Sequence, residues 1–251
     1  MGRGVDIDYF YPDVDDRLTS KLVETFGDSW YVEELNVRHL VTNTVKELGL
    51  SVESSIDVGC GTGRLVPWVL KEFSPTRSVC LEPDPARLTL ATRACHGHYC
   101  LPLQGSGTGI PLRDEVVDLV VWSHVIQHIP TYYLDRMFRE VHRVMKPGGL
   151  VFLMTTHSAG EEYFLLVYDG GDRQEARRVD RETYNRYAAG PVEGYLPVRK
   201  FDLRWLESFI EQEGFRIVLK KFYHKLNDCQ EEGMEEPGCY LDVAYLLQKG
   251  R

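Results

Sequence analysis

The stretch Asp57-Val58-Gly59-Cys60-Gly61-Thr62-Gly63-Arg64-Leu65 constrains this 251-residue chain more than any other. It follows the apolar run Ser54–Val58 and opens a helical pattern, which is the context a ligand-binding turn needs. Glycines there permit a tight turn and let a ligand approach the backbone. The helix N-terminus behind them offers free N–H groups and a partial positive charge, which suits a carboxylate. The spacing separates one ligand class from another. A dinucleotide loop reads G-x-G-x-x-G, whereas here Gly59, Gly61 and Gly63 alternate and Arg64 stands where the third glycine would be. Glu82 lies 19 residues beyond Gly63, just after a second apolar run, and a carboxylate there can accept two hydrogen bonds from a ribose diol.

The rest of the chain supports a layered α/β fold. Apolar runs at 54–58, 78–81, 99–103, 118–122 and 150–155 alternate with helical patterns at roughly 63–73, 85–94 and 132–145. Strands alternating with helices predict a parallel, doubly wound sheet. Ahead of this series, Leu18, Leu22, Val23 and Phe26 form one helical face, and Leu40, Val41, Thr44, Val45 and Leu48 another. After it, residues 159–200 lack clear periodicity and are rich in Tyr and Arg. Asp202 then reads as an N-cap for a helix with Trp205, Leu206, Phe209 and Ile210 on its apolar face. Two β-like runs, Phe215–Tyr223 and Cys239–Leu247, close the chain around an acidic linker that reads as a solvated loop.

With these residues in view, Asp57 to Gly63 resembles the first motif of the class I S-adenosylmethionine (SAM)-dependent methyltransferases. The resemblance continues through Glu82-Pro83-Asp84, Gly105 to Leu112, Asp118-Leu119-Val120-Val121, Ser123 to His128, and Arg143 to Gly149. It covers about residues 54–155 well and the terminal strand pair loosely. It implies a Rossmann-like α/β fold: a seven-stranded, mostly parallel sheet with helices on both faces and an antiparallel last strand. The chain then reads as one domain. Residues 1–50 form an N-terminal helical cap, 51–158 the SAM-binding core, 159–200 a substrate-lid insertion after strand five, and 201–251 a terminal helix and strand pair.

Carried over residue by residue, the resemblance implies that Gly59, Gly61 and Gly63 line the methionine part of SAM, with Asp57 and Arg64 nearby. Glu82 would hold the ribose hydroxyls and Pro83 would flank the adenine. Gly105 and Ser106 would sit at the adenine edge, Ser106 standing where the family usually has Asp. Ser123 and His124 would end strand four near the sulfonium and the incoming substrate, as expected for ligands at the carboxyl ends of an open sheet. SAM would be consumed and S-adenosylhomocysteine released.

Methyl transfer from a sulfonium is an in-line displacement, so the protein must align a nucleophile and exclude water. A general base is needed only for a protonated nucleophile. His124 and His128 are the candidate acid–base residues, with a structural hydrogen bond the competing role for His128; His157 is a third histidine able to face substrate. No ligand spacing calls for a metal: the run Cys95-His96-Gly97-His98-Tyr99-Cys100 matches no common zinc pattern and reads as structural.

Composition narrows the partners. The net charge of −9 argues against nucleic acid, whose phosphates need a positive surface. The apolar runs are too short to span a bilayer, so no membrane partner is expected, and a cytoplasmic location with reduced thiols follows. The aromatic residues of the cap (Tyr9, Phe10, Tyr11, Phe26, Trp30, Tyr31) and of the insertion (Tyr163, Phe164, Tyr168, Tyr184, Tyr187, Tyr195) suit a pocket for a small organic molecule. Arg173, Arg177, Arg178, Arg181 and Arg186 would accommodate an anionic group on it. The expected activity is methyl transfer to a small molecule. A macromolecular acceptor, or SAM binding without transfer, are the alternatives.

Overall fold

A computed structural model describes residues 28–96, 100–168, 175–190, 194–225 and 237–250. The first helical pattern, the acidic linker and Arg173 lie outside the described residues, as do the aromatic side chains of the cap.

Helix α1 (Asp28–Glu47) leads into strand β1 (Ser54–Val58), the glycine turn, α2 (Val66–Phe73), β2 (Arg77–Glu82), α3 (Pro85–Cys95) and β3 (Cys100–Gln104). Then come β4 (Val117–Ser123), two short 3-10 turns, α4 (Leu134–Val144) and β5 (Met145–Ser158). The insertion adds β6 (Tyr163–Tyr168), β7 (Glu175–Val179), α5 (Arg181–Ala189) and β8 (Tyr195–Asp202); α6 (Leu203–Gln212), β9 (Phe215–Lys225) and β10 (Tyr240–Lys249) complete the chain.

The core sheet runs β3-β2-β1-β4-β5-β10-β9, parallel through β5, with β10 antiparallel to both neighbours. Every residue of β1 is buried, as a strand covered on both faces requires. One face packs on α4 and α6 through residues such as Trp122, Phe138 and Leu206, the other on α1 and α2 through Val41, Trp68 and Phe152. Helix α4 earns its place by spacing: Leu134, Met137, Phe138, Val141 and Val144 all turn inward. Aspartates cap three helices: Asp84 accepts from the Ala86 and Arg87 amides, Asp180 from Thr183, and Asp202 from Arg204 and Trp205.

The α/β class matches the expectation, but the described residues hold ten strands rather than seven. The three extra strands come from the insertion, where no regular structure was expected. Strands β7, β6 and β8 form an antiparallel sheet, and the end of β8 pairs in parallel with the end of β5, Phe201 beside His157 and Asp202 beside Ser158. Two further corrections are local. The helix expected at 63 begins at Val66, since Gly59 to Leu65 stay in turns. In α1 the inward positions are Glu34, Val37, Arg38, Val41, Thr42 and Val45, while Leu40 and Leu48 are exposed. The reason is that the inner face of α1 is partly ionic.

Candidate functional site

The glycine turn is shaped by its own backbone. Gly59, Gly61 and Gly63 all hold left-handed φ, at 71°, 56° and 85°. Their surroundings differ. A Cβ on Gly59 would lie 2.6 Å from Val125 Cγ2, and one on Gly63 would press on Ala94 and Ala91 of α3. A Cβ on Gly61 would meet nothing within 4 Å, so this glycine faces open space. Gly59→Ala should therefore destabilise the fold by about 2 kcal/mol or more, through left-handed strain plus the clash with Val125. Gly61→Ala should cost about half that and register mainly as lost ligand affinity. Thermal unfolding and ligand titration of the two variants check the contrast.

Glu82, at the carboxyl end of β2, is buried. Its Oε2 accepts from the Gly61 amide at 2.9 Å and its Oε1 from the Asp84 amide at 3.0 Å. Each oxygen keeps a lone pair, so the carboxylate is oriented and still able to accept from a diol. Asp57, at the end of β1, is also buried, and burial pushes its carboxyl up to about 7, with Glu82 adding to the effect and Arg64 opposing it. The loop after β3 holds Gly105 and the exposed Ser106, whose hydroxyl pairs with that of Thr108 at 3.1 Å. Gly107 beside them has no room for a side chain: a Cβ would lie 2.4 Å from Met137 Cε.

At the end of β4 the structure assembles a second, polar group. Arg64 reaches from the glycine turn to Ser123 Oγ at 3.5 Å and pairs with Glu34 of α1. Glu34 also pairs with Arg38. Burial opposes charge on Glu34, yet the two guanidinium groups hold its carboxyl far below the usual range. His124 follows Ser123 with φ at 53°, a left-handed conformation that non-glycine residues keep only where the surroundings enforce it. Its Nδ1 is 2.9 Å from Gln127 Nε2 and its Nε2 is 2.9 Å from the Tyr223 hydroxyl. Thr155 Oγ1 donates to Gln127 Oε1 at 3.1 Å, which orients the amide. Next to Tyr223, His224 Nδ1 lies 2.5 Å from Asp242 Oδ2. Burial lowers the His124 pKa, so the ring is neutral at neutral pH.

The other expected residues fall elsewhere. His128 Nδ1 donates to the Pro197 carbonyl at 2.7 Å, and burial pushes its pKa down to about 4. It ties the segment after β4 to the insertion. Tyr184 does the same, its hydroxyl donating to the Gln127 and Ile129 carbonyls at 2.9 and 2.7 Å. His157 packs on Phe222 with the rings tilted by 59°, and its buried Nε2 has no hydrogen-bond partner among the described residues. The described arginines of the insertion lie over rings: Arg177 over Tyr195, Arg178 over Tyr163, Arg181 over Phe164 and Arg186 over Tyr187. They brace the insertion's aromatic residues. Reduced thiols were expected throughout, yet Cys95 and Cys100 are joined as a disulfide, while Cys60 and Cys80 are free. Sequence reasoning missed Glu34, Arg38, Tyr223, His224 and Asp242. The one signal for them was polar residues at inward helical positions in α1 and consecutive Tyr and His in β9.

Comparison with known proteins follows this geometry. Residues 56–153 match the Methyltransferase domain family. An uncharacterized methyltransferase of Mycobacteroides abscessus is 31% identical over 183 residues, covering 66% of this chain and 67% of the relative. The chain belongs to the SAM-dependent methyltransferase family. An uncharacterized methyltransferase of Mycobacterium bovis (strain BCG / Pasteur 1173P2) is 32% identical over 168 residues, covering 64% of this chain and 59% of the relative, so the match spans about three fifths of that protein. The fold is shared with the 1,6-didemethyltoxoflavin-N1-methyltransferase of Burkholderia thailandensis, solved with bound 1,6-didemethyltoxoflavin and S-adenosylhomocysteine. That likeness has a TM-score of 0.57 at 14% identity and covers 100% of this chain and 93% of that one.

SAM is the cofactor of this family, and the residues present fit it. Gly61 leaves open space at the turn, and Glu82 is a buried, pre-oriented diol acceptor. The described residues include no helix long and apolar enough to cross a membrane.

Proposed function

We propose that this chain transfers the methyl group of SAM to a small organic molecule. The observation that carries the reading is the His124–Tyr223 pair at the carboxyl end of β4, one residue beyond Ser123 and the Arg64 contact. A half-buried imidazole bonded to a buried phenol is a means of moving a proton away from bulk water. When bound, SAM supplies an electrophilic methyl group. Asp57, Gly61 and Arg64 would hold its amino-acid end, Glu82 its ribose, and Pro83, Gly105 and Ser106 its adenine. Ser123 would lie at the methyl-donor side.

His124 has both ring nitrogens engaged, so a proton from the acceptor reaches it through Tyr223. That relay uses the tautomer with hydrogen on Nδ1. Gln127 then turns its oxygen to the ring and its nitrogen to the Thr155 hydroxyl, which can accept as well as donate. The phenol passes its proton to Nε2 as it takes one from the acceptor. Burial raises the Tyr223 pKa well above the ordinary value, so the phenol acts as a conduit and His124 as the base.

A small acceptor is supported by the burial of Tyr223 beneath His124 and by the net charge of −9, which disfavours a phosphate backbone. The solved relative that methylates 1,6-didemethyltoxoflavin shows such an acceptor on the same fold. A screen of phenols, amines, thiols and carboxylates with methyl-labelled SAM tests the reading. Label should pass to a low-molecular-weight product, and Tyr223→Phe and His124→Gln should each lower the rate by about 100-fold with unchanged SAM affinity. For such a protonated acceptor the rate should fall only below the ordinary histidine range, because the His124 pKa is lowered. Label appearing only on peptide or RNA would overturn the choice of substrate; SAM binding with no labelled product at all would overturn methyl transfer.

A further inference from the structure

Four of the six cysteines meet behind the glycine turn. Cys80 comes from the middle of β2, Cys95 from the last turn of α3 and Cys100 from the start of β3. The sulfur atoms of these three lie within 4.8 Å of one another. Cys60, from the turn itself, packs in the same cluster, with its thiol 3.8 Å from the Gly61 carbonyl. A disulfide needs two sulfurs, and Cys95 and Cys100 provide them. It does not account for a third sulfur set 3.6 Å from one partner and 3.9 Å from the other. Those separations bracket the edge of a tetrahedron of thiolates around zinc, about 3.8 Å for Zn–S bonds of about 2.3 Å.

We propose that the reduced chain binds one thiophilic divalent cation, of the zinc class, through Cys80, Cys95 and Cys100, with Cys60 at hand as a fourth sulfur. The surroundings agree. Soft sulfur donors select such an ion over calcium or magnesium. Cys100 is half-buried, which leaves the cluster reachable from one side.

The site is gated by oxidation. In the disulfide form, Cys95 and Cys100 cannot both ligate as thiolates. Two molecules of an external thiol reduce that bond, giving two cysteine thiols and the reductant's own disulfide. The metal ion then displaces one proton from each ligating thiol. Re-oxidation by a disulfide runs the sequence backwards and expels the ion. The consequence is local, because α3 packs Ala91 and Ala94 against Gly63 and β2 ends in Glu82. Binding would fasten three elements that frame the glycine turn, whatever the acceptor of the reaction.

Cobalt(II) titration of the full chain tests this with an optical readout that does not depend on activity. After reduction, one Co2+ per chain should give a thiolate-to-cobalt charge-transfer band with tetrahedral d–d bands, all abolished by zinc. Cys80→Ser and Cys100→Ser should each lose the band, with far-ultraviolet circular dichroism reporting that both variants fold; Cys100 lies at a strand end where serine is tolerated. The double variant Cys229→Ser, Cys239→Ser should keep the band. No band in the reduced chain, a band that survives Cys80→Ser and Cys100→Ser, or an equal band in the oxidised chain would each overturn the site.

Discussion

Glu82→Ala is expected to weaken SAM and S-adenosylhomocysteine binding by about 1000-fold while leaving the chain folded. Hydrogen bonds to a charged group contribute about 1.5–3 kcal/mol each, and the proposed ribose contact uses two. About 4 kcal/mol lost corresponds to three powers of ten in affinity. The same carboxylate also holds the Gly61 and Asp84 amides, so its removal loosens both the turn and the entry to α3. Glutamine is no conservative substitute. Its oxygen can serve Gly61, but its amide nitrogen then faces the Asp84 N–H, donor against donor. Calorimetric titration of wild type and both variants with the two adenosyl compounds and NAD decides the matter. Unchanged affinity in Glu82→Ala would place the ribose elsewhere, and NAD binding to the wild type would contradict the reading of the turn's glycine spacing.

The second large effect is expected at Asp57, and it has opposite signs for stability and binding. Burial holds this carboxyl near 7 in the folded chain, against about 3.9 when unfolded. The folded state therefore keeps a proton that the unfolded state has lost across that window. The stability gained from the protonated carboxyl is complete below about pH 4 and declines as pH rises to about 7, by up to about 4 kcal/mol. Asp57→Asn removes that slope. At pH 8 the variant should unfold at higher denaturant than wild type, and at pH 4 the gain should vanish. SAM, in contrast, brings a cationic sulfonium and an ammonium, which favour the ionised carboxylate. Wild type should release protons on binding SAM near pH 6, measured as a buffer-dependent heat, and Asp57→Asn should bind more weakly without that release. A stability gain independent of pH would show that burial is not what raises the group.

The half of the site that meets the cofactor was legible because its residues are local. Gly59 to Gly63 are adjacent, and Glu82 and Gly105 follow at the ends of the next two strands. Backbone geometry dictates the glycines, and strand ends dictate the acid. The other half is made by tertiary contact. Tyr223 meets His124 across 99 residues, and Glu34 meets Arg64 across 30. Neither pairing leaves a period in the sequence, and inward polar residues on α1 misdirect any assignment built on apolar spacing. From its short interval after β4, His128 reads as a structural hydrogen-bonding residue ahead of a catalytic one, and in the fold that interval turns its ring toward the Pro197 carbonyl. The insertion looked structureless because its strands bear Arg177 and Arg178 outward and pack by ring and guanidinium contacts, so the usual alternation of apolar and polar residues is blurred.

The tether between the insertion and the segment after β4 has a consequence for how such a chain can diversify. Tyr184 and His128 fasten the insertion to the backbone within five residues of His124, and the family match ends at residue 153, before the insertion begins. A stretch inside the family match and a stretch beyond it are thus joined by hydrogen bonds beside the end of β4. The matched stretch carries the proposed cofactor contacts, from Asp57 to Ser123. On the proposed reading of the insertion as cover for the acceptor, its outer surface can change, and with it the molecules admitted, while Tyr184 and Pro197 hold it to the segment after β4. On that reading, grafting residues 159–200 between relatives that retain those anchors is expected to exchange acceptor choice without rebuilding the donor site, as substrate screens of the chimaeras would show.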